Sequence, residues 1–251
     1  MRLIVASFLC AFAFSVAAEE VEAVLLPIEP SVVMCAYNSR FETRLVVYNQ
    51  NERAVRPECA GDVCGGFGAS EGREIAGVVK QVPLPTFLYL PKSQVDRLRM
   101  SLVVEASDRE RLDERSFAEL PIARESDFRD TKMNIVGVRM EPGFRQTLRI
   151  FGLDGNNYGI VMVSAFDLNT DELLYQEPHF LWPLSAEQST DGRALRPSFT
   201  MECDLSQELP DYLDGRNVRI ELEPLSEGTK YWAFVSITNN KTQQFYTITP
   251  R

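Results

Sequence analysis

One stretch constrains the fold of this chain more than any other: Lys230 to Pro250, KYWAFVSITNNKTQQFYTITP. Aromatic and β-branched residues run up to an Asn239-Asn240 turn and resume beyond it, which is the pattern of a hairpin. Successive side chains of a strand point to opposite faces, so Tyr231, Ala233, Val235 and Ile237 share one face while Trp232 and Phe234 share the other. Both faces are apolar. Such a strand is stable only when it is covered on both sides, so the hairpin is expected in the middle of the fold.

The rest of the chain reads as further strands. From Ala23 onward short β-like runs are punctuated by Gly, Pro, Asn and Asp: Ala23 to Ile28, Phe41 to Tyr48, Glu74 to Val79, Thr86 to Leu90, Leu98 to Glu105 and Phe117 to Ala123. After the polar stretch ARESDFRDT come Met133 to Arg139, Thr147 to Phe151, Gly159 to Phe166, Glu172 to Tyr175, Phe180 to Trp182, Ser198 to Cys203 and Val218 to Leu222. Helical character is confined to a turn or two at Ser93 to Arg99 and to DRERLDER at Asp108 to Arg115, a solvated connection laced with local ion pairs. Many short strands with regular turn signals predict β-sandwiches.

Four blocks also recur in the same order. Thr43 in FETRLVVYN matches Thr147 in FRQTLRIFG, Pro85-Thr86-Phe87 matches Pro197-Ser198-Phe199, Leu98 to Leu102 matches Val218 to Leu222, and Phe117 to Leu120 matches Phe245 to Ile248. Their order predicts duplication of one unit. The expectation is an all-β protein of two tandem immunoglobulin-like β-sandwich domains, 19–127 and 128–251, behind a signal peptide at 1–18.

That leader rests on Arg2, the apolar run Leu3 to Phe14, and the small residues Ser15 to Ala18 ahead of two glutamates. It predicts a secreted or periplasmic protein. No later apolar run reaches the roughly 20 residues that span a bilayer, so no membrane insertion is expected after processing. With 26 basic and 36 acidic residues the chain carries a net charge of −10 at pH 7, which disfavours nucleic acid and anionic lipid as partners. Cys10 would leave with the leader, and four cysteines would remain. Cys59 and Cys64 share the loop PECAGDVCGGFG and form the expected local disulfide in an oxidising compartment, with Cys35 and Cys203 left to pair by elimination; three connectivities are formally open.

No constellation compels a reaction, so no catalytic, metal or cofactor-binding residue is assigned. Gly68-Ala69-Ser70-Glu71-Gly72 fits the G-x-S-x-G pattern, with Asp171 and His179 following in hydrolase order. A nucleophile elbow needs a strand before the serine and a helix after it, whereas a Cys/Gly loop precedes Ser70 and REIAGVV, strand-like, follows. His179 is the only histidine, which argues against multi-histidine metal sites. The turns beginning at Asp154 and Asp167 offer oxygen ligands for calcium, but the same residues are the ordinary material of hairpin turns. Paired carboxylates of a glycosidase type are not singled out by the sequence. Asn240-Lys241-Thr242 fits a glycosylation acceptor, relevant in a eukaryotic host. Most aromatics fall at strand positions, where core packing is the default over a sugar- or peptide-binding surface. The leading expectation is a non-enzymatic structural or binding module for a protein or carbohydrate partner, with a secreted hydrolase using carboxylates or Ser70 and His179 as the alternative.

Arg219 to Leu225, Trp232-Ala233-Phe234-Val235-Ser236-Ile237-Thr238-Asn239-Asn240 and Thr242-Gln243 resemble the end of a group of exported bacterial all-β proteins of unassigned function, with a C-terminal WAFVS(I/V)TNNxTQ signature. Asn38 to Leu45, Pro121 to Glu125 and Arg145 to Arg149 extend the resemblance over most of the chain, with Asn38 where the group has glycine. The resemblance implies export and an all-β, immunoglobulin-like fold, and carries no site residue. Periplasmic pilus chaperones share the architecture of a leader and two such domains, but they are usually basic and the likeness ends there.

Overall fold

The computed structural model describes residues 20–27, 39–57, 72–76, 86–108, 115–154, 159–183, 198–205 and 215–250. The strands are β1 (Val21–Leu26), β2 (Ser39–Asn49), β3 (Gly72–Ala76), β4 (Thr86–Pro91), β5 (Leu98–Asp108), β6 (Arg115–Leu120), β7 (Ala123–Arg124), β8 (Met133–Arg139), β9 (Phe144–Leu153), β10 (Gly159–Asp167), β11 (Leu173–Pro183), β12 (Ser198–Asp204), β13 (Asn217–Pro224), β14 (Lys230–Asn239) and β15 (Phe245–Ile248). One helical turn, α1 (Lys92–Val95), lies between β4 and β5. The protein is all-β, and its strands pair antiparallel in the orders β4-β1-β7, β3-β2-β5-β6 and β15-β14-β9-β12-β11-β10-β13-β8.

Alternation builds the first core. Phe41, Thr43, Leu45 and Val47 point inward from β2, opposite Ala106, Val104, Leu102 and Met100 of β5. In β1 and β4 the alternation disappears: Glu22 to Leu26 and Phe87 to Leu90 are buried without a break, so these strands are covered on both faces. Glu22, the charge among them, is met by Arg124 through two bonds of 2.7 and 2.8 Å, as a desolvated carboxylate requires.

The second core lies inside the long sheet, which folds back on itself. Ile135, Val163, Ile220 and Leu222 from one half meet Leu148, Ile150, Ala233 and Val235 from the other. β11 is the strand that changes halves, pairing with β10 from Leu173 to Leu181 and then with β12 at Trp182 and Pro183. Ahead of β8, Arg129 closes the fold against β14 through reciprocal backbone bonds to Tyr231 of 2.8 and 2.9 Å. The Tyr231 hydroxyl sits 2.7 Å from the Leu222 carbonyl and 2.9 Å from that of Thr131, and burial holds its pKa above the ordinary tyrosine value. At the β8 edge Gly137, with φ +85°, is the extra residue of a bulge opposite Val218 and Arg219, a device that blunts edge pairing.

β14 fulfils the expectation raised by its sequence. Tyr231, Ala233, Val235 and Ile237 enter the second core, while Trp232 and Phe234 join Phe151 and Leu153 in the cluster that contains β1, β2, β4 and β5. Trp232, Phe234 and Phe151 stack with centroids 5.5 to 6.2 Å apart. The expected boundary near 127/128 thus separates strands but not cores.

Three expectations are corrected. Glu172 to Tyr175 and Phe180 to Trp182 are one strand, β11, because Pro178 sits where a strand edge tolerates it. The last hairpin turns over 240–244 rather than at Asn239-Asn240 alone, with the Asn239 side chain accepting from the Lys241 and Thr242 amides. The four matched blocks do not occupy equivalent places: β2 pairs with β5, whereas their counterparts β9 and β13 lie in different halves of the long sheet.

Candidate functional site

The feature that core packing does not explain is the outward face of β11. Its neighbour β10 points Val161, Val163 and Ala165 inward, so Ile160, Met162 and Ser164 point outward. Register places Phe180 opposite Ile160, Pro178 opposite Met162 and Gln176 opposite Ser164. Trp182 follows Phe180 on the same face, roughly 7 Å further along. Phe180 is 52% exposed and Trp182 64%. Across β10, the Leu225 amide bonds the Ile160 carbonyl at 2.8 Å, which sets another exposed side chain beside the pair. Trp182, Phe180, Pro178, Ile160, Met162 and Leu225 thus form one apolar patch.

The next row of the face is polar and satisfied within itself. Gln176 donates to Ser164 at 3.1 Å, Lys132 bonds Glu221 at 2.7 Å and reaches Glu223 at 3.5 Å, and Arg219 bonds Asn134 and Glu221 at 3.0 and 2.9 Å. Arg219 also lies 4.3 Å above the Phe166 ring. Hydrogen bonding to Glu221 raises the Lys132 pKa, and hydrogen bonding to Asp171 raises that of Arg219. An apolar patch rimmed by polar residues is the surface pattern of a binding site.

Among the described residues the second edge of β11 is paired only at Trp182 and Pro183, with β12; its Leu173 to Leu181 stretch invites a second kind of contact, strand addition, and Pro178 works against it. A proline has no amide proton, so within a ladder its nitrogen must face away from the partner strand. The Pro178 nitrogen therefore faces the edge not paired with β10, where an added strand would look for a donor.

Among the described residues, those singled out from the sequence do not converge on chemistry. Ser70, Cys35, Cys59 and Cys64 lie outside the described residues; Cys203 is buried in the second core on β12. His179 lies on the other face of β11, its Nε2 3.0 Å from the Tyr175 hydroxyl, which is 3.3 Å from Glu177. The Asp171 carboxylate is engaged by Arg219. Asp167 is a turn residue in fact: one oxygen accepts the Asn169 and Thr170 amides at 2.8 and 3.1 Å, and the other accepts from Arg216 at 3.1 Å. Those amides hold its pKa below the ordinary aspartate value. Asp154 ends β9 with φ 65°, and the rest of its turn lies outside the described residues. Among the described residues no three His, Cys, Asp or Glu side chains gather as a metal site. The sequence reading missed Phe180 and Trp182 as a surface pair; the signal was Pro178, which marks a stretch of strand paired on one edge.

No protein-family model matches the chain, and no curated protein or solved structure does either.

Proposed function

We propose that the protein is an exported, non-enzymatic binding module of two packed β units that engages a macromolecular partner through the outward face of β11. The observation that carries this reading is the exposure of Phe180 and Trp182 side by side on a strand whose other aromatic-rich counterpart, β14, is fully covered. With each ring 52–64% exposed, the fold forgoes roughly half of the about 1.5–3 kcal/mol that full burial of such a side chain brings. Export is supported by the Met1 to Ala18 pattern, and places the protein in the periplasm or outside the cell.

Photo-crosslinking tests the surface directly. With benzoylphenylalanine placed in turn at Phe180, Trp182 and Phe117, an exposed aromatic on β6, a partner adduct is expected at the first two positions and not at the third. Adducts at Phe117 alone, or at none of the three, would remove β11 as the binding surface. The leader is tested by N-terminal sequencing of the exported protein, with a start at Glu19 expected.

A further inference from the structure

Building on the β11 face as the binding surface, we infer that its partner is a protein segment with an apolar or aromatic side chain flanked by lysine or arginine, docked through side chains and not added as a strand. Composition favours protein over glycan. Among the described residues, Phe180 is bordered on this face by the carbon side chains of Ile160, Met162, Pro178 and Leu225, and Trp182 follows it in register with Thr200 of β12. A sugar ring stacked on Phe180 would turn its hydroxyls toward carbon, whereas an apolar side chain would lose nothing there.

Charge selects the flanks. Glu223 lies across β10 from Pro178, opposite Met162, and its side chain is 52% exposed. Exposed Glu227 follows Leu225 in the next turn. Of the two cations of that row, Lys132 is shared between Glu221 and Glu223, and Arg219 is held by Asp171 and Glu221. The rim is therefore net acidic, on a chain of net charge −10. A basic flank gains from this rim at short range and can lay a guanidinium over an aromatic ring, as Arg219 does over Phe166 on the same face. A second copy of the chain would instead set like rims against each other, since a two-fold contact pairs the same patch with itself. Pro178 withholds the donor that strand addition would use.

Panning a phage-displayed random dodecapeptide library on the full-length protein tests the inference. Enriched peptides are expected to combine Trp, Phe or Leu with Arg or Lys, to weaken by at least about tenfold on Phe180→Ser or Trp182→Ser, and to weaken with added salt. They should keep binding when alternate backbone amides are N-methylated. Neutral or acidic peptides that still depend on Trp182 would overturn the inferred chemistry and leave the surface standing. Peptides indifferent to both substitutions would overturn the surface as well. Sedimentation showing a dimer that Trp182→Ser dissolves would overturn the inference in favour of self-association. Failure of acrylamide to quench Trp182, measured against Trp182→Phe, would overturn it too, because the chain would then cover its own patch.

Discussion

β14 and β11 carry nearly the same local message and meet opposite fates. Each has two aromatic residues two positions apart, Trp232 with Phe234 and Phe180 with Trp182. In β14 the pair is buried, Trp232 at 6% exposure; in β11 it stands in water. Local propensity does not separate them, because aromatic residues favour strands in either place. What separates them is what lies beside and above each strand. β14 has β9 on one edge, β15 and Arg129 on the other, and a core on each face. β11 has prolines at 178 and 183 and only one face turned to a core. An aromatic pair is thus buried when a core lies on each face of its strand and exposed when a core lies on only one.

The comparison can be broken by substitution. Trp232→Ala should cost about 3–5 kcal/mol and lower the melting temperature by roughly 10 °C or more, since it empties a site in the cluster that joins β14 to β1 and β4. Chemical denaturation showing a loss below about 1 kcal/mol would mean that the outward face of β14 is not structural. Tyr231→Phe should cost about 1–3 kcal/mol, because the Leu222 and Thr131 carbonyls lose the one hydroxyl proton they share. Urea titration of that variant beside Trp232→Ala would show whether the two faces of β14 contribute alike.

The turn that leads into β11 gives a pH-dependent test. The Asp167 pKa is depressed in the fold, so its contribution is complete above the ordinary aspartate value of about 4 and is lost as pH falls through the lower native value. The parent should therefore outlast Asp167→Asn at neutral pH, and the gap should close in acid. A gap unchanged down to the acid limit of folding would show that the carboxylate charge does not matter to the turn. At the small end, Phe180→Ser and Trp182→Ser should each change stability by less than about 0.5 kcal/mol while weakening partner binding. Pro178→Val should leave stability equally untouched and increase self-association in light scattering, since it restores an edge donor.

How much of this was legible depended on which neighbours a residue has. The burial of Trp232 and Phe234 followed from β14 itself, because its two apolar faces admit only one kind of place. The single continuous strand at Leu173–Pro183 was hidden by Pro178, which breaks a central strand but not an edge. The exposure of Phe180 and Trp182 was hidden by the default that aromatics seek a core, and only the register with β10 and its inward-facing Val161 and Val163 reveals it. The matched blocks were misleading for a related reason: period-two alternation makes unrelated strands look alike, and strand order is written in long-range pairing.

The aromatic seam formed by Phe151, Leu153, Trp232 and Phe234 bears on how such a chain can be inherited and dissected. A C-terminal half cut free at residue 128 would turn that seam into an open adhesive face, and the N-terminal half would lose part of its own interior. Two units that share a lining in this way cannot be shuffled independently between proteins, as beads on a string can. Co-expression of the separate halves is expected to restore one soluble complex, where either half alone aggregates.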